Sequence, residues 1–341
     1  MSTSGEATAA PRLAEGIDAI TLPLAAHFEQ LEMFLEAQVE AFEPEVRPLV
    51  RYTFGHSGKK IRPILVFYAG LPGSAGAPDE GLIRAAAIVE LVHLATLVHD
   101  DILDGADTRH RVETAVARYG PHAAVLLGDA LFAHALKLAA DFPDVTVCRL
   151  VSRATRQVCS GEIAQTFARK RFDISMEDYF RFIDLKTAEL FAVSARLGAM
   201  LGGYPAAFCD AVEVFARRLG AAYQIYDDLT DFAGREERAG KTLGTDLQSG
   251  KLTLPLLLYL DSLPGGGAES LRADIAAGRA TPESLDAAMR GAGVYGRVRD
   301  RFYAEVDAAE AALQPYADLP AGAELPRLSG FIRQAIRRHV E

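Results

Sequence analysis

The sequence predicts an all-α protein, one bundle of long helices. Three observations carry that prediction. Apolar residues recur at helical spacing over most of the 341 residues. Half of the residues are hydrophobic, and Ala, Leu, Arg and Glu, all good helix formers, are abundant. No stretch alternates apolar and polar residues for a useful length, and no linker divides the chain. Residues 1–15 read as a loose polar tail, and 16–341 as a single helical domain, long for one domain but within reach of an all-helical one.

From Ile17 to Phe54 the apolar spacing is helical, with Pro23 and Pro44 as punctuation. GHSGKKIRPIL (55–65) is a Gly- and Lys-containing turn leading into a helix, and Pro63 suits a first helical turn. GLPGSAGAPDEG (70–81) is a loop. Residues 82–103 form one long helix, apolar on most sides and therefore buried. Further helices are expected at about 122–141, 144–170, 176–202 and 206–232. Residues 233–250 form a polar, Gly-punctuated loop, and shorter helices follow, with breaks at 263–268 and 314–327.

The net charge of −10 argues against a nucleic-acid binder, which would show a basic face. An anionic substrate is still compatible, because a local basic cluster and metal ions outweigh global charge at a site. Cys148, Cys159 and Cys209 are scattered and odd in number, which fits reduced thiols. The N-terminal residues lack the plan of a signal peptide. LTLPLLLYL (252–260), read as the most apolar run, falls far short of the roughly 20 residues of a membrane span. A cytoplasmic protein without a transmembrane segment is expected.

LVHDDILDGADTRHR (97–111) places Asp100, Asp101, Asp104 and Asp107 in an otherwise apolar stretch, with Arg109, His110 and Arg111 directly after them. Its DDILD (100–104) recurs as DDLTD (227–231), and each copy ends an apolar helical run. Residues four apart share a helix face, so Asp100 projects with Asp104 and Asp227 with Asp231. Like charges at this spacing repel unless they are neutralised. One such motif could be a solvated helix end; two in matching contexts point to bound cations. Oxygen-only ligands select hard ions, Mg²⁺ first, with Mn²⁺ as the alternative. A calcium-binding EF-hand loop does not fit, because Ile102 and Arg111 fall where it needs carboxylates. Mg²⁺ is typically completed by substrate phosphates, so the reading is a diphosphate held between two facing Asp clusters.

The basic companions follow the same logic. In GKKIRP (58–63), Lys59 and Arg62 lie three apart, on one side of a first helical turn whose free N–H groups favour anions. His93 lies two turns before Asp100 on the same face. Arg109 offers a bidentate grip on phosphate. Lys186 and Thr187 stand in the apolar helix of DLKTAELF (184–191), where a charged Lys needs an anionic partner. Gln224 sits one turn before Asp227. Lys241 and Lys251 flank the polar loop and are placed to close over an anion.

These motifs resemble, as an ordered set, the trans-isoprenyl diphosphate synthases, or polyprenyl synthetases. The resemblance runs from GKKIRP through ELVHLATLVHDDILD, GDALFAHAL (128–136), GEIAQ (161–165), KTAELF and YQIYDDLTD to GKTLGTDLQSGKLTLP, ending near Tyr259. It implies a helical bundle around a deep central cavity, a homodimer, and the condensation of isopentenyl diphosphate with an allylic diphosphate. It implies Mg²⁺, three ions with substrate bound, on Asp100, Asp104 and Asp227, supported by Asp101, Asp228 and Asp231. Lys59, Arg62 and His93 are the implied isopentenyl diphosphate binders. Arg109, Lys186, Thr187, Gln224 and Lys241 are on the implied allylic side. The family's RRGxPT reads RHRVET here (109–114), so His110 replaces an Arg that contacts isopentenyl diphosphate, and neutral His is a weaker phosphate partner.

In the family, bulk about five positions before the first Asp closes the pocket and shortens the product. Here that position is Ala95, beside Thr96, with Val92 and Leu91 deeper and Phe132 a candidate floor. A helical turn rises about 5.4 Å, similar to one isoprene unit, which points to a product of roughly C30 to C50, as for quinone side chains. Ala95→Tyr is expected to shorten it. The alternatives are a short-chain farnesyl or geranylgeranyl synthase, a terpene cyclase or head-to-head synthase, and a non-catalytic partner subunit. GKKIRP speaks against a cyclase, which needs no second diphosphate site, and two intact DDxxD motifs speak against a non-catalytic subunit.

Overall fold

The apolar stretch around ELVHLATLVHDD becomes the central helix of the protein. The computed structural model describes residues 13–56, 58–71, 79–109, 112–233 and 244–340. In order these form α1 (Leu13–Thr21), a 3₁₀ turn (Leu22–Leu24), α2 (Ala25–Val39), α3 (Arg47–Gly55), α4 (Ile61–Gly70) and α5 (Glu80–Asp104). A two-strand hairpin follows, β1 (Thr108–Arg109) and β2 (Val112–Glu113), with Thr108 opposite Glu113. Then come α6 (Ala115–Tyr119), α7 (Pro121–Ala140), α8 (Val145–Ala168), α9 (Met176–Ile183), a π turn (Asp184–Ala188), α10 (Glu189–Leu201) and α11 (Ala206–Ala233). The C-terminal part is helical too, its longest pieces being Leu254–Ser262, Val294–Leu313 and Pro326–Val340.

α5 starts where the Asp79 carboxylate accepts hydrogen bonds from Gly81 N (2.8 Å) and Leu82 N (3.2 Å). It ends at Gly105, whose φ of 61° is left-handed and closes the helix just after the acidic motif. Between these caps it packs against α7, α4, α10 and α2. α10 approaches α4 so closely that a Cβ on Gly198 would stand 2.2 Å from the Val66 carbonyl oxygen, which only glycine permits. Buried Phe67, Tyr68, Phe191, Phe208, Phe215 and Phe302 fill the core between these helices.

Several expectations shift. Helix α1 begins at Leu13, inside the stretch assigned to the tail. The stretch 176–202 is not one α-helix, because a π turn interrupts it. α8 stops at Ala168, since Arg169 is extended at ψ 137° and Lys170 is left-handed at φ 60°. Among the described residues two helices, α5 and α7, are long and apolar enough to cross a membrane by length and composition, which the short run 252–260 did not announce. The most apolar window of α5 is 72% buried in the bundle and that of α7 44%, which makes α5 a core helix.

Candidate active site

The C-terminal end of α5 presents its carboxylates to cations from three other segments. Asp100 and Asp104 both meet the same cluster, as their spacing predicts. Lys186 Nζ lies 3.4 Å from Asp100 Oδ2, pairs with Glu162, and donates to Gln165 Oε1 (3.3 Å). Arg169 donates to Asp104 Oδ1 (2.7 Å) and to the Leu103 carbonyl (3.0 Å), and stands 3.7 Å from Glu162. Lys251 Nζ donates to both Asp104 oxygens at 3.2 Å. Three carboxylates are thus interleaved with three cations. Burial pushes the Asp100 carboxyl up, and Glu162 and Asp104 add to this against Lys186. Burial would also raise Asp104, but Lys251, then Arg169 and Lys186, hold it below the usual carboxylate value. Lys186 is pulled down by burial, yet Asp100 and Glu162 outweigh this and raise it.

The π turn aims Lys186 and Thr187. α8 closes on it at Gly161, where a Cβ would be 2.8 Å from Lys186 N, so the Gly of GEIAQ is required by contact. Thr187 Oγ1 donates to Gln224 Oε1 (2.8 Å), and Gln224 Nε2 donates to Asp228 Oδ1 (2.8 Å). Tyr179 Oη donates to Asp228 Oδ2 (2.7 Å). Asp228 is buried, and burial together with Asp246 pushes it up to about 8 against the Tyr179 and Gln224 hydrogen bonds. Asp227 stays partly exposed on the same helix. Asp231 departs from the metal-ligand expectation: it is 1% exposed, and its Oδ2 accepts from Asp246 N (3.2 Å), which anchors the chain returning from the polar loop.

The basic turn also departs in detail. Lys60 is left-handed (φ 51°) and precedes Ile61, so Lys59 stands ahead of α4 and only Arg62 lies on its first turn. Lys60 pairs with Glu32 at 3.1 Å. Burial lowers Lys59, against the field of Asp227 in the second acidic motif. The half-buried Arg62 stacks its guanidinium 5.1 Å above the Phe191 ring, and burial pulls it down to about 10 against Glu90 and Tyr223. Burial, then Arg62 and Arg109, holds His93 well below its ordinary value, so its imidazole is neutral. The bidentate grip expected of Arg109 on phosphate goes instead to Asp101 Oδ1, with Nε at 3.0 Å and Nη2 at 2.8 Å. His110 and Lys241 lie outside the described residues.

On α5, Thr96 is one turn before Asp100 on the same face and is partly exposed, its Oγ1 donating to the His93 carbonyl (2.6 Å). Ala95 lies about 140° around the helix from Asp100 and is fully enclosed, as is Leu91, so Ala95 opens on no space in this structure. Phe132 is partly buried, its ring 5.7 Å from that of His99, and packs between α5 and α7.

Sequence reasoning missed Glu162, Arg169, Tyr179 and Glu90. Glu162 stands in the quoted GEIAQ, and Glu90 is a charge in the apolar run AAAIVELVHLATL; both were visible as polar residues in apolar surroundings. Nothing marks Arg169 or Tyr179, whose partners are distant in sequence.

Among the described residues, no three His, Cys, Asp or Glu side chains close on one point. The carboxylates are offered singly and in pairs, oxygen donors only, and they fit a hard dication that water and phosphate oxygens complete. The interleaved lysines and arginine fit the anion.

Comparison with known proteins agrees with this chemistry. The model of the family described as polyprenyl synthetase matches residues 43–290. The chain is 38% identical to a (2E,6E)-farnesyl diphosphate synthase of Mycobacterium tuberculosis, over 69% of each chain. It is 34% identical to the octaprenyl diphosphate synthase of Escherichia coli, over 81% of this chain and 85% of that one. A polyprenyl synthase from Caulobacter crescentus, solved with calcium and isoprenyl diphosphate, superposes with a TM-score of 0.83 at 28% identity, covering 98% of this chain and 100% of the other. The chain therefore belongs to the polyprenyl synthetase family and is a prenyltransferase, a trans-prenyl diphosphate synthase.

Proposed function

We propose that this synthase is Mg²⁺-dependent and extends an allylic diphosphate with isopentenyl diphosphate to a long product, about C30 to C50, one isoprene unit corresponding roughly to a helical turn. The observation that carries the length is Thr96. It occupies the face of Asp100 one turn back, where an aromatic ring would close the path. Its hydroxyl is turned onto the helix backbone, which leaves that face small.

Asp100, Asp104 and Asp227 hold the ions, and the allylic diphosphate lies between them. Mg²⁺, when bound, neutralises charge on the diphosphate as it leaves. Lys186, Arg169 and Lys251, paired with carboxylates here, turn to the phosphate oxygens and stabilise the charge that grows as the C–O bond breaks. Lys59, Arg62 and His93 hold isopentenyl diphosphate beside it. Its double bond attacks the allylic carbocation, and the departing diphosphate takes the proton that is then lost. Thr187, fixed through Gln224, lines the allylic side. The apolar walls keep water from the cation. Exposed Val125 and Leu126 on α7 support a homodimer, and we place the protein in the cytoplasm.

The test is a product assay with Mg²⁺, labelled isopentenyl diphosphate and farnesyl diphosphate as primer. A ladder reaching long chains is expected, abolished by EDTA, with Thr96→Phe truncating it. Ala95→Tyr, having no space to enter, should destabilise by about 1–3 kcal/mol rather than shorten cleanly. A single short product from the wild type would refute the length, and a ladder unchanged by Thr96→Phe would remove Thr96 from the path.

A further inference from the structure

The proposed isopentenyl diphosphate half-site encloses a carboxylate that the chemistry above leaves unused. Glu90 is 1% exposed and stands in α5 three residues before His93. Neither of its carboxylate oxygens has a hydrogen-bond partner, and neither does the buried Nε of Arg62, a side chain that is otherwise half-buried. The charged groups that act on Glu90 are Arg62 and Lys60, both from the start of α4. Tyr223 of α11 acts on Arg62, and Phe191 of α10 lies beneath its guanidinium. On the α5 side stands His93, with Arg109 of the hairpin beyond it, and burial keeps His93 neutral. Lys60 is already paired with Glu32, so Arg62 is the cation left to balance Glu90.

A buried carboxylate with no donor is held by charge alone. Burial pushes Glu90 up to about 7, against Arg62 and Lys60. A diphosphate on Arg62 brings several negative charges to the same guanidinium, where little water screens them. Two anions then compete for one cation, and the carboxylate is the one that can yield by protonation. We propose that Glu90 is the resident counter-anion of Arg62, a positioning residue that gives way to isopentenyl diphosphate by taking up one proton from solvent as the diphosphate binds. This rests on the assignment of Arg62 and His93 to isopentenyl diphosphate. It makes affinity fall as pH rises through neutrality, because the proton that binding needs becomes scarcer.

Glu90→Gln mimics the protonated acid. The wild-type KM for isopentenyl diphosphate should rise several-fold from about pH 6.5 to about pH 8.5, within the limit of roughly tenfold per pH unit for one proton, while that of E90Q stays low. The substrate's own ionisation is common to both proteins and cancels. Calorimetric titration with isopentenyl diphosphate in two buffers of different ionisation enthalpy should count about one more proton taken up by wild type than by E90Q near pH 8. Equal counts would overturn the proposal. Arg62→Gln separates the two ideas: if it leaves isopentenyl diphosphate binding intact, the half-site assignment fails. If it abolishes binding while E90Q keeps the wild-type count, only the role of Glu90 fails. Should E90Q not fold, infrared difference spectra of the wild type decide. Binding should produce a protonated-carboxyl band, and its absence would overturn the proposal.

Discussion

Glu90 also bears on stability. Its carboxyl sits at about 7 in the fold against an ordinary 4.5, so the folded protein holds a proton that the unfolded chain has released. Stability is therefore lost as pH rises from about 4.5 to about 7, and the full cost persists above that. Glu90→Gln removes a cost on the order of 3 kcal/mol. Its melting temperature should exceed that of the wild type by several degrees near pH 8 and match it near pH 5. An equal gain at both would place the effect in packing rather than charge. At this scale, what could be read in the sequence was charge out of place. Asp100, Asp104 and Lys186 stood out because an apolar helix cannot leave them unpaired, and each meets an opposite charge. Glu90 obeys the same rule but lacks a repeat to mark it. The engagement of Arg109 could not be read, because spacing does not say that the turn between α5 and β1 brings it back onto Asp101. The burial of Asp231 was likewise hidden, since spacing fixes a shared face but not what covers it.

The π turn between α9 and α10 is the element that most needs external support. Arg217 of α11 brackets it, donating to Asp184 at its first residue (2.9 Å) and to Glu189 just past its last. Glu189 is 1% exposed and reaches no compensation from water. Replacing Arg217 by Met frees Asp184 and leaves Glu189 with Arg153 alone, 3.9 Å away, which loosens Lys186 and Thr187 between them. The expected outcome is an allylic KM raised about tenfold, or roughly 1.4 kcal/mol, with the isopentenyl diphosphate KM nearly unchanged. Steady-state kinetics with each substrate varied in turn would show it, and an unchanged allylic KM would mean that the turn is held without Arg217. Periodicity gave the helices on both sides but merged them across 184–188, because one extra residue in a turn shifts the apolar stripe too little to break it. Side chains cap two of the helix starts, Asp79 before α5 and Ser175 with its Asp178 capping box before α9, and the starts expected at 82 and 176 fall within two residues of them.

For the whole molecule, the all-α class followed from composition and spacing, because every long apolar stretch had helical period and none had strand period. The family match ends at residue 290, yet Val294–Leu313 still packs along α11 and completes the core with Phe302. On the outside, α7 exposes Val125 (42%) and Leu126 (68%) as neighbours on one helix. If they meet a second copy, Leu126→Glu should shift the protein toward monomer in sedimentation velocity while leaving its helical content intact. An unchanged sedimentation coefficient would move the interface elsewhere. The apolarity of α5, with a mean hydropathy of 1.8 in its most apolar window, has a last consequence, for biosynthesis. This helix leaves the ribosome before most of its cover exists, and α10 arrives only about a hundred residues later. Until then the nascent chain carries a segment as greasy as a membrane anchor, with α7 its first later-made shield. A chain that stalls soon after the first acidic motif is a substrate for chaperones and proteases rather than a folding intermediate that can wait.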